Sequence, residues 1–159
     1  MKMRTIRLTA LTLLACLIGT PPAFAATATD TFTVTATVAT VCSVTATDLS
    51  FGAYANLAAD ATSTVSVTCT SGGTYSVGLS NGSYFSTTRR MKNAGTDYLG
   101  YELYKEVGHT NRWGDSGGDL VSGTGSGSAQ DLTVYGNLPA SQGLIAGSYS
   151  DTITVTVTY

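Results

Sequence analysis

Thr31-Phe32-Thr33-Val34-Thr35-Ala36-Thr37-Val38 places Phe32, Val34, Ala36 and Val38 on one side of an extended backbone and four threonines on the other. Period-two alternation of β-branched and aromatic residues with polar ones is the pattern of a half-buried strand. Such a strand needs an apolar surface beneath it and the edge of another strand for its backbone groups. The reading favoured here is that a second copy of the chain supplies both.

Upstream, Lys2, Arg4 and Arg7 precede an apolar run, Leu8–Ile18. Pro21, Pro22 and the small-residue site Ala23-Phe24-Ala25 follow. This is the layout of a secretion signal, residues 1–25, cut after Ala25. The apolar run has 11 residues, against the roughly 20 needed to span a bilayer. A lipoprotein box at Leu13-Leu14-Ala15-Cys16 is a rival, but Leu14 is bulky for it. No other stretch is apolar enough to span, so the mature chain is expected to be exported and soluble.

The mature chain would hold 134 residues, enough for one domain with a real core. It keeps five basic and all ten acidic residues, a formal net charge of −5 with no basic run. Nucleic acid is therefore not an expected partner. Cys42 and Cys69 survive processing, and in an oxidising compartment they are expected to pair. The closed loop would stabilise the fold by roughly 3–4 kcal/mol. A metal or redox site is the alternative, weakened by the long spacing and by the distance in sequence of the single histidine, His109.

Going down the chain, Thr40–Thr45 and the brief Leu49–Gly52 read as extended, and residues 54–62 as a loop. Ser63–Thr70 carries Val65, Val67 and Cys69 on one face. Thr74–Ser80 carries Tyr75, Val77 and Leu79 on one face. With Ser71-Gly72-Gly73 between them, these two predict a hairpin. Leu99–Lys105 predicts a central strand. Ser116–Ala129, rich in Gly and Ser, predicts a long exposed loop. Asp131–Leu138 alternates Leu132, Val134 and Gly136. Ser150–Tyr159 alternates Ile153, Val155, Val157 and Tyr159 up to the last residue, with nothing after it to cover its outer edge. No segment holds a helical period over three turns. Short strands about ten residues apart with Gly-rich turns point to an all-β sandwich.

Chemistry is sparse. A Ser/His/Asp site would have to use His109, which lies in a polar stretch and reads as a solvated loop residue. Asp115 and Asp119 with Gly117 and Gly118 do not follow the order of a calcium loop. Tyr98, Tyr101, Tyr104 and Trp113 suit core and cross-strand packing better than a sugar platform. Arg89, Arg90 and Lys92 suit a solvated edge, or partners for Asp97 and Glu102, better than an anion site. No catalytic residue, metal site or cofactor is expected.

The order of these elements resembles a known family. It runs Cys42; Leu49-x-Phe51-Gly52; Val65-x-Val67-x-Cys69; Arg90-Met91; Leu99-x-Tyr101-x-Leu103-Tyr104; Trp113-Gly114-Asp115; Val134-Tyr135-Gly136; then Gly147-x-Tyr149-x-Asp151-Thr152-Ile153 into the last strand. The chain resembles the spore coat protein U domain family, which includes pilin subunits of archaic, Csu-type chaperone–usher pili. The resemblance covers essentially the whole mature chain. It implies an incomplete immunoglobulin-like β-sandwich lacking its last strand. Residues 26–39 would form an N-terminal donor strand and residues 40–159 the sandwich domain.

In such pilins a periplasmic chaperone first lends a strand to the open groove. At an outer-membrane usher the N-terminal strand of the next subunit replaces it. Carried over, Phe32, Val34, Ala36 and Val38 would be the donor side chains. Ile153, Val155, Val157 and Tyr159 would help line the acceptor groove. The carboxylate of Tyr159 would be the chaperone's anchor, and Cys42–Cys69 would be the family's disulfide. Eight donor residues span about 26 Å. Burying Phe32, Val34 and Val38 would contribute roughly 5–8 kcal/mol, with each ladder hydrogen bond adding about 1 kcal/mol. The head-to-tail joint does not close on itself, so it builds a filament.

The function expected from the resemblance is a structural subunit of a surface pilus serving adhesion and biofilm formation. Its partners would be a chaperone, an usher and other pilin subunits. The alternatives are a self-complemented secreted binding module, such as one for glycans, in which Thr31–Val38 folds onto its own domain, and a spore-coat-type protective protein.

Overall fold

The structure, a computed structural model, describes residues 22–159. The expected signal, residues 1–25, lies almost wholly outside the described residues. Residues 22–40 form no strand or helix. Within them the apolar side chains of the alternating stretch stand in solvent: Phe32 is 88% exposed and Val34 and Val38 are each 82% exposed.

Eight strands follow in chain order: β1 (Cys42–Ala46), β2 (Ala59–Cys69), β3 (Thr74–Leu79), β4 (Arg89–Lys92), β5 (Tyr98–Tyr104), β6 (Val121–Thr124), β7 (Ala129–Leu138) and β8 (Val155–Thr158). The only helical element among the described residues is a single 3-10 turn at Gly117–Asp119. All strand pairings are antiparallel. One sheet runs β1-β2-β7-β5-β4 and the other β6-β3-β8. The all-β, immunoglobulin-like sandwich expected from the sequence is therefore observed.

Period-two alternation builds the core. Val65, Val67 and Cys69 of β2, Leu99, Tyr101 and Leu103 of β5, and Val134 and Leu138 of β7 turn inward from the larger sheet. Tyr75, Val77 and Leu79 of β3 meet them from the smaller one. This corrects the hairpin expected across Ser71-Gly72-Gly73. The strands on either side of that turn lie in different sheets, because both carry a fully apolar face. Two such faces bury more surface opposed across a core than side by side.

The long loop expected over Ser116–Ala129 is also corrected. It contains β6, which pairs with β3 and lays half-buried Val121 opposite Val77. The expected loop at 54–62 gives way to β2 from Ala59 onward.

A polar tie crosses the interior. Trp113 N–H donates to Leu103 O (2.9 Å), Leu79 N–H donates to Gly114 O (2.8 Å), and the Trp113 indole donates to Val77 O (3.0 Å). The segment 113–114 thus hydrogen-bonds to both sheets. Arg89 is fully buried beside it. Its guanidinium donates to Leu79 O (2.9 Å), Ser80 O (2.7 Å) and Trp113 O (2.8 Å), and it pairs with Glu102. Burial draws the Arg89 pKa down, and the Glu102 carboxylate opposes that shift. Glu102 also holds Arg112 (3.1 Å), which reaches Asp119 (3.2 Å). A buried cation is tolerable only with this degree of pairing.

Candidate functional site

The two sheets end in four edge strands, β1, β4, β6 and β8, and two of these, β1 and β8, come close to each other. Ser80 N–H donates to Thr154 O (2.9 Å). With the pairs Gly78↔Thr156 and Ser76↔Thr158, antiparallel alternation directs the backbone groups of Thr154, Thr156 and Thr158 toward β3. Those of Ile153, Val155 and Val157 point the other way. Among the described residues no strand pairs with that outer edge.

The same parity governs β1. Thr47 N–H donates to Thr64 O and Thr70 N–H donates to Val41 O, both 3.0 Å. The odd residues of β1 therefore bond to β2, and Cys42, Val44 and Ala46 offer their backbone groups outward. The Cys42–Cys69 disulfide, across a directly opposed pair, fixes this edge strand to β2.

Cα atoms of β1 and β8 come within 8 Å of each other, and beyond Ala46 and Val155 the walls part. A cavity of about 420 Å³ opens there. One wall is Ala46–Leu49 with Phe51, the other Tyr149–Asp151 with Ile153 and Val155, and core residues such as Val65, Leu79 and Leu103 form its floor. It continues, through shared Leu49, Phe51, Met91 and Tyr149, into a second cavity of about 750 Å³ beneath residues 143–148. The result is a trough between the sheets with an apolar floor and a partly polar rim (Thr47, Asp48, Ser150, Asp151), which opens where the β1 and β8 edges end at Ala46 and Val155.

Gly136 makes room for one wall. A Cβ on it would sit 2.9 Å from Leu49 Cδ1 and from the Phe51 ring. Any larger residue would push that wall into the trough. Asp151 anchors the other wall. It accepts from the Tyr101 hydroxyl, Ser83 N–H and Thr152 N–H, each at 2.8 Å. Burial, then this hydrogen bond, pushes the Tyr101 phenol well above the ordinary tyrosine range, so it stays a donor.

The residues expected at the acceptor site fall in different places. Ile153 and Val155 line the cavity. Val157 is half-buried and opposite Val77. Tyr159 is 60% exposed, at the end of the same strand. The sequence reading missed Leu49, Phe51, Met91, Tyr149 and the floor residues as groove formers. A signal was available for Leu49 and Phe51, since their brief alternation opposes the side-chain-free Gly136. Elsewhere, Trp113 and Tyr101 are core residues, as the packing reading expected. The Asp119 carboxylate is engaged by Arg112. His109 Nε2 lies 3.9 Å from Asp60 Oδ1, and its ring packs against Tyr104 at 5.0 Å, tilted by 50°.

Residues 28–156 match the family described as the Spore Coat Protein U domain. Protein U of Myxococcus xanthus is 34% identical over 170 residues, covering 94% of this chain and 95% of that relative. Among solved structures, the chain is similar to one in the crystal structure of the CsuC–CsuE chaperone–tip adhesion subunit pre-assembly complex from archaic chaperone-usher Csu pili of Acinetobacter baumannii. The TM-score is 0.61 at 28% identity, over 77% of this chain. The match spans 41% of that solved chain.

Proposed function

The chain belongs to the Spore Coat Protein U domain family, and from that membership and the open trough we propose that it is a structural pilus subunit joined to its neighbours by an exchanged strand. The observation that carries this reading is the pair of facing, unpaired edges of β1 and β8, with a trough of apolar floor opening at their ends. With the two edges parted from within 8 Å to about 10 Å, two strand spacings, an inserted strand would meet backbone donors and acceptors on both sides and apolar side chains below. Left open, such an edge is an aggregation hazard.

Residues 26–39 of another copy are the proposed occupant. Phe32, Val34, Ala36 and Val38 would enter the trough, and Ile153, Val155, Val157 and Tyr159 would form its β8 border. A periplasmic chaperone would hold the groove before an outer-membrane usher catalyses the exchange. The product is a head-to-tail fibre on the cell surface, serving adhesion and biofilm formation. Support for a chaperone partner comes from the structural relative, which is itself from a chaperone complex.

The family and fold are those of structural subunits. Co-expression with and without a cognate chaperone and usher tests the proposal. Cells with all three should display fibres containing this chain. Soluble monomer secreted equally well without either helper would refute it.

A further inference from the structure

The basic cluster Arg89–Lys92 is divided by strand alternation. Arg89 and Met91 turn inward, while Arg90 and Lys92 turn outward beside Tyr98, the register partner of Lys92. The Arg90 guanidinium lies 4.4 Å from the centre of the Tyr98 ring. Lys92 Nζ is 5.6 Å from the Tyr84 ring and 6.0 Å from that of Tyr98. The two rings are 6.0 Å apart, and 37% of Tyr84 and 38% of Tyr98 are exposed.

Among the described residues neither Arg90 nor Lys92 forms an ion pair. Arg90 donates to Tyr84 O (2.8 Å), which fixes its position without neutralising it. The nearby Asp97 carboxylate is engaged by the Asn93 amide (3.0 Å). The other three cations of residues 26–159 lie elsewhere, and only Lys105 among them also lacks a carboxylate partner. Arg89 and Arg112 have carboxylate partners, and Lys105 donates to the Gly118 and Leu120 carbonyls.

In a chain with a net negative mature charge, two cations without an ion-pair partner, beside one exposed ring on the β4–β5 hairpin and another in the turn that precedes β4, are a local inversion of the surface. We propose that this outward face of β4–β5 binds an acidic polysaccharide, with Tyr98 and Tyr84 against the apolar C–H faces of pyranose rings and Arg90 and Lys92 on their carboxylates. Arg offers a planar fork for a carboxylate and Lys a mobile point charge. The aromatic faces supply apolar contact and hold the cations in place. Two cations without a wider basic stripe match sparse carboxylates along a sugar chain better than a continuous phosphate backbone. The site is separate from the trough and is repeated on every copy.

Affinity electrophoresis of the mature protein through gels containing alginate tests this, with neutral dextran and a thymidine homopolymer as comparisons. Alginate should retard the protein at low salt, dextran should not, and the homopolymer should do so more weakly. Arg90→Ala with Lys92→Ala should weaken alginate binding at least about tenfold. Tyr98→Ala should weaken it about threefold to fivefold with the charges intact. Tyr98→Phe and Arg90→Lys should retain binding, which separates loss of the site from loss of the fold. No retardation by alginate, equal retardation of the alanine variants, or tighter binding to the homopolymer would overturn the proposal.

Discussion

Strand parity makes a prediction about two adjacent residues. Val155 directs its N–H toward the vacant edge, whereas Thr156 directs its N–H to Gly78 of β3. Proline lacks that N–H and is tolerated in strands only where the edge is free. Thr156→Pro removes a ladder bond inside the subunit and orphans a Gly78 carbonyl, which should cost the subunit about 2–3 kcal/mol. Val155→Pro removes no bond within the subunit and keeps most of the side chain's apolar surface, so its cost should stay below about 1 kcal/mol.

For an incoming strand the order reverses. Val155→Pro deletes one donor at the docking edge and sets a ring against the visitor's carbonyl. The loss should be about 1.5–3 kcal/mol, or roughly 10- to 150-fold in Kd. Urea denaturation of the full-length chain reads the first quantity. Titration of a labelled peptide of residues 26–39 into a chain lacking those residues reads the second. If Val155→Pro destabilises the subunit as much as Thr156→Pro and leaves peptide affinity unchanged, the assignment of the β8 edge as the docking edge is wrong.

Three further outcomes are expected. Phe32→Asp should leave a soluble, chaperone-bound subunit and abolish oligomers, because it removes about 2–3 kcal/mol of burial and brings an unpaired carboxylate onto the trough's apolar floor; size-exclusion chromatography of periplasmic extracts checks this. Arg89→Ala should cost about 3–5 kcal/mol in urea unfolding, because it leaves two buried carbonyls (Leu79, Trp113), the half-buried Ser80 carbonyl and part of Glu102 without their donor. Gly136→Val should leave the far side of the sandwich intact but reduce affinity for the 26–39 peptide at least about tenfold, since its side chain displaces Leu49 and Phe51.

Strands were legible where one face is apolar and the other polar, as in β2, β5, β7 and β8. What local alternation does not encode is which sheet a strand joins. Ser71-Gly72-Gly73 serves a hairpin or a crossover between sheets equally well, and only the need to oppose two apolar faces decides. β6 was hidden because Val121-Ser122-Gly123-Thr124 has one apolar side chain, and Gly123 is there to admit the Tyr75 ring, whose Cζ would lie 2.5 Å from a Cβ on it. The pairing of Arg89 with Glu102 was among the expectations, but its burial was not. Arg89 shares parity with Met91, so placing Met91 inside places the guanidinium inside as well. The trough was half legible: the β8 border follows from alternation, but the opposite wall, Leu49 and Phe51, rests on Gly136 in a strand far away in sequence.

The central claim is that the strand around Phe32 belongs in a neighbour's trough. Its most direct test is electrophoresis of the purified mature protein in SDS without heating. The account predicts a ladder of oligomers that collapses to monomer on boiling and is absent when residues 26–39 are removed. A single monomer band from a protein whose Thr31–Val38 amides are protected from hydrogen exchange in dilute solution would contradict it, and would assign that strand to its own domain.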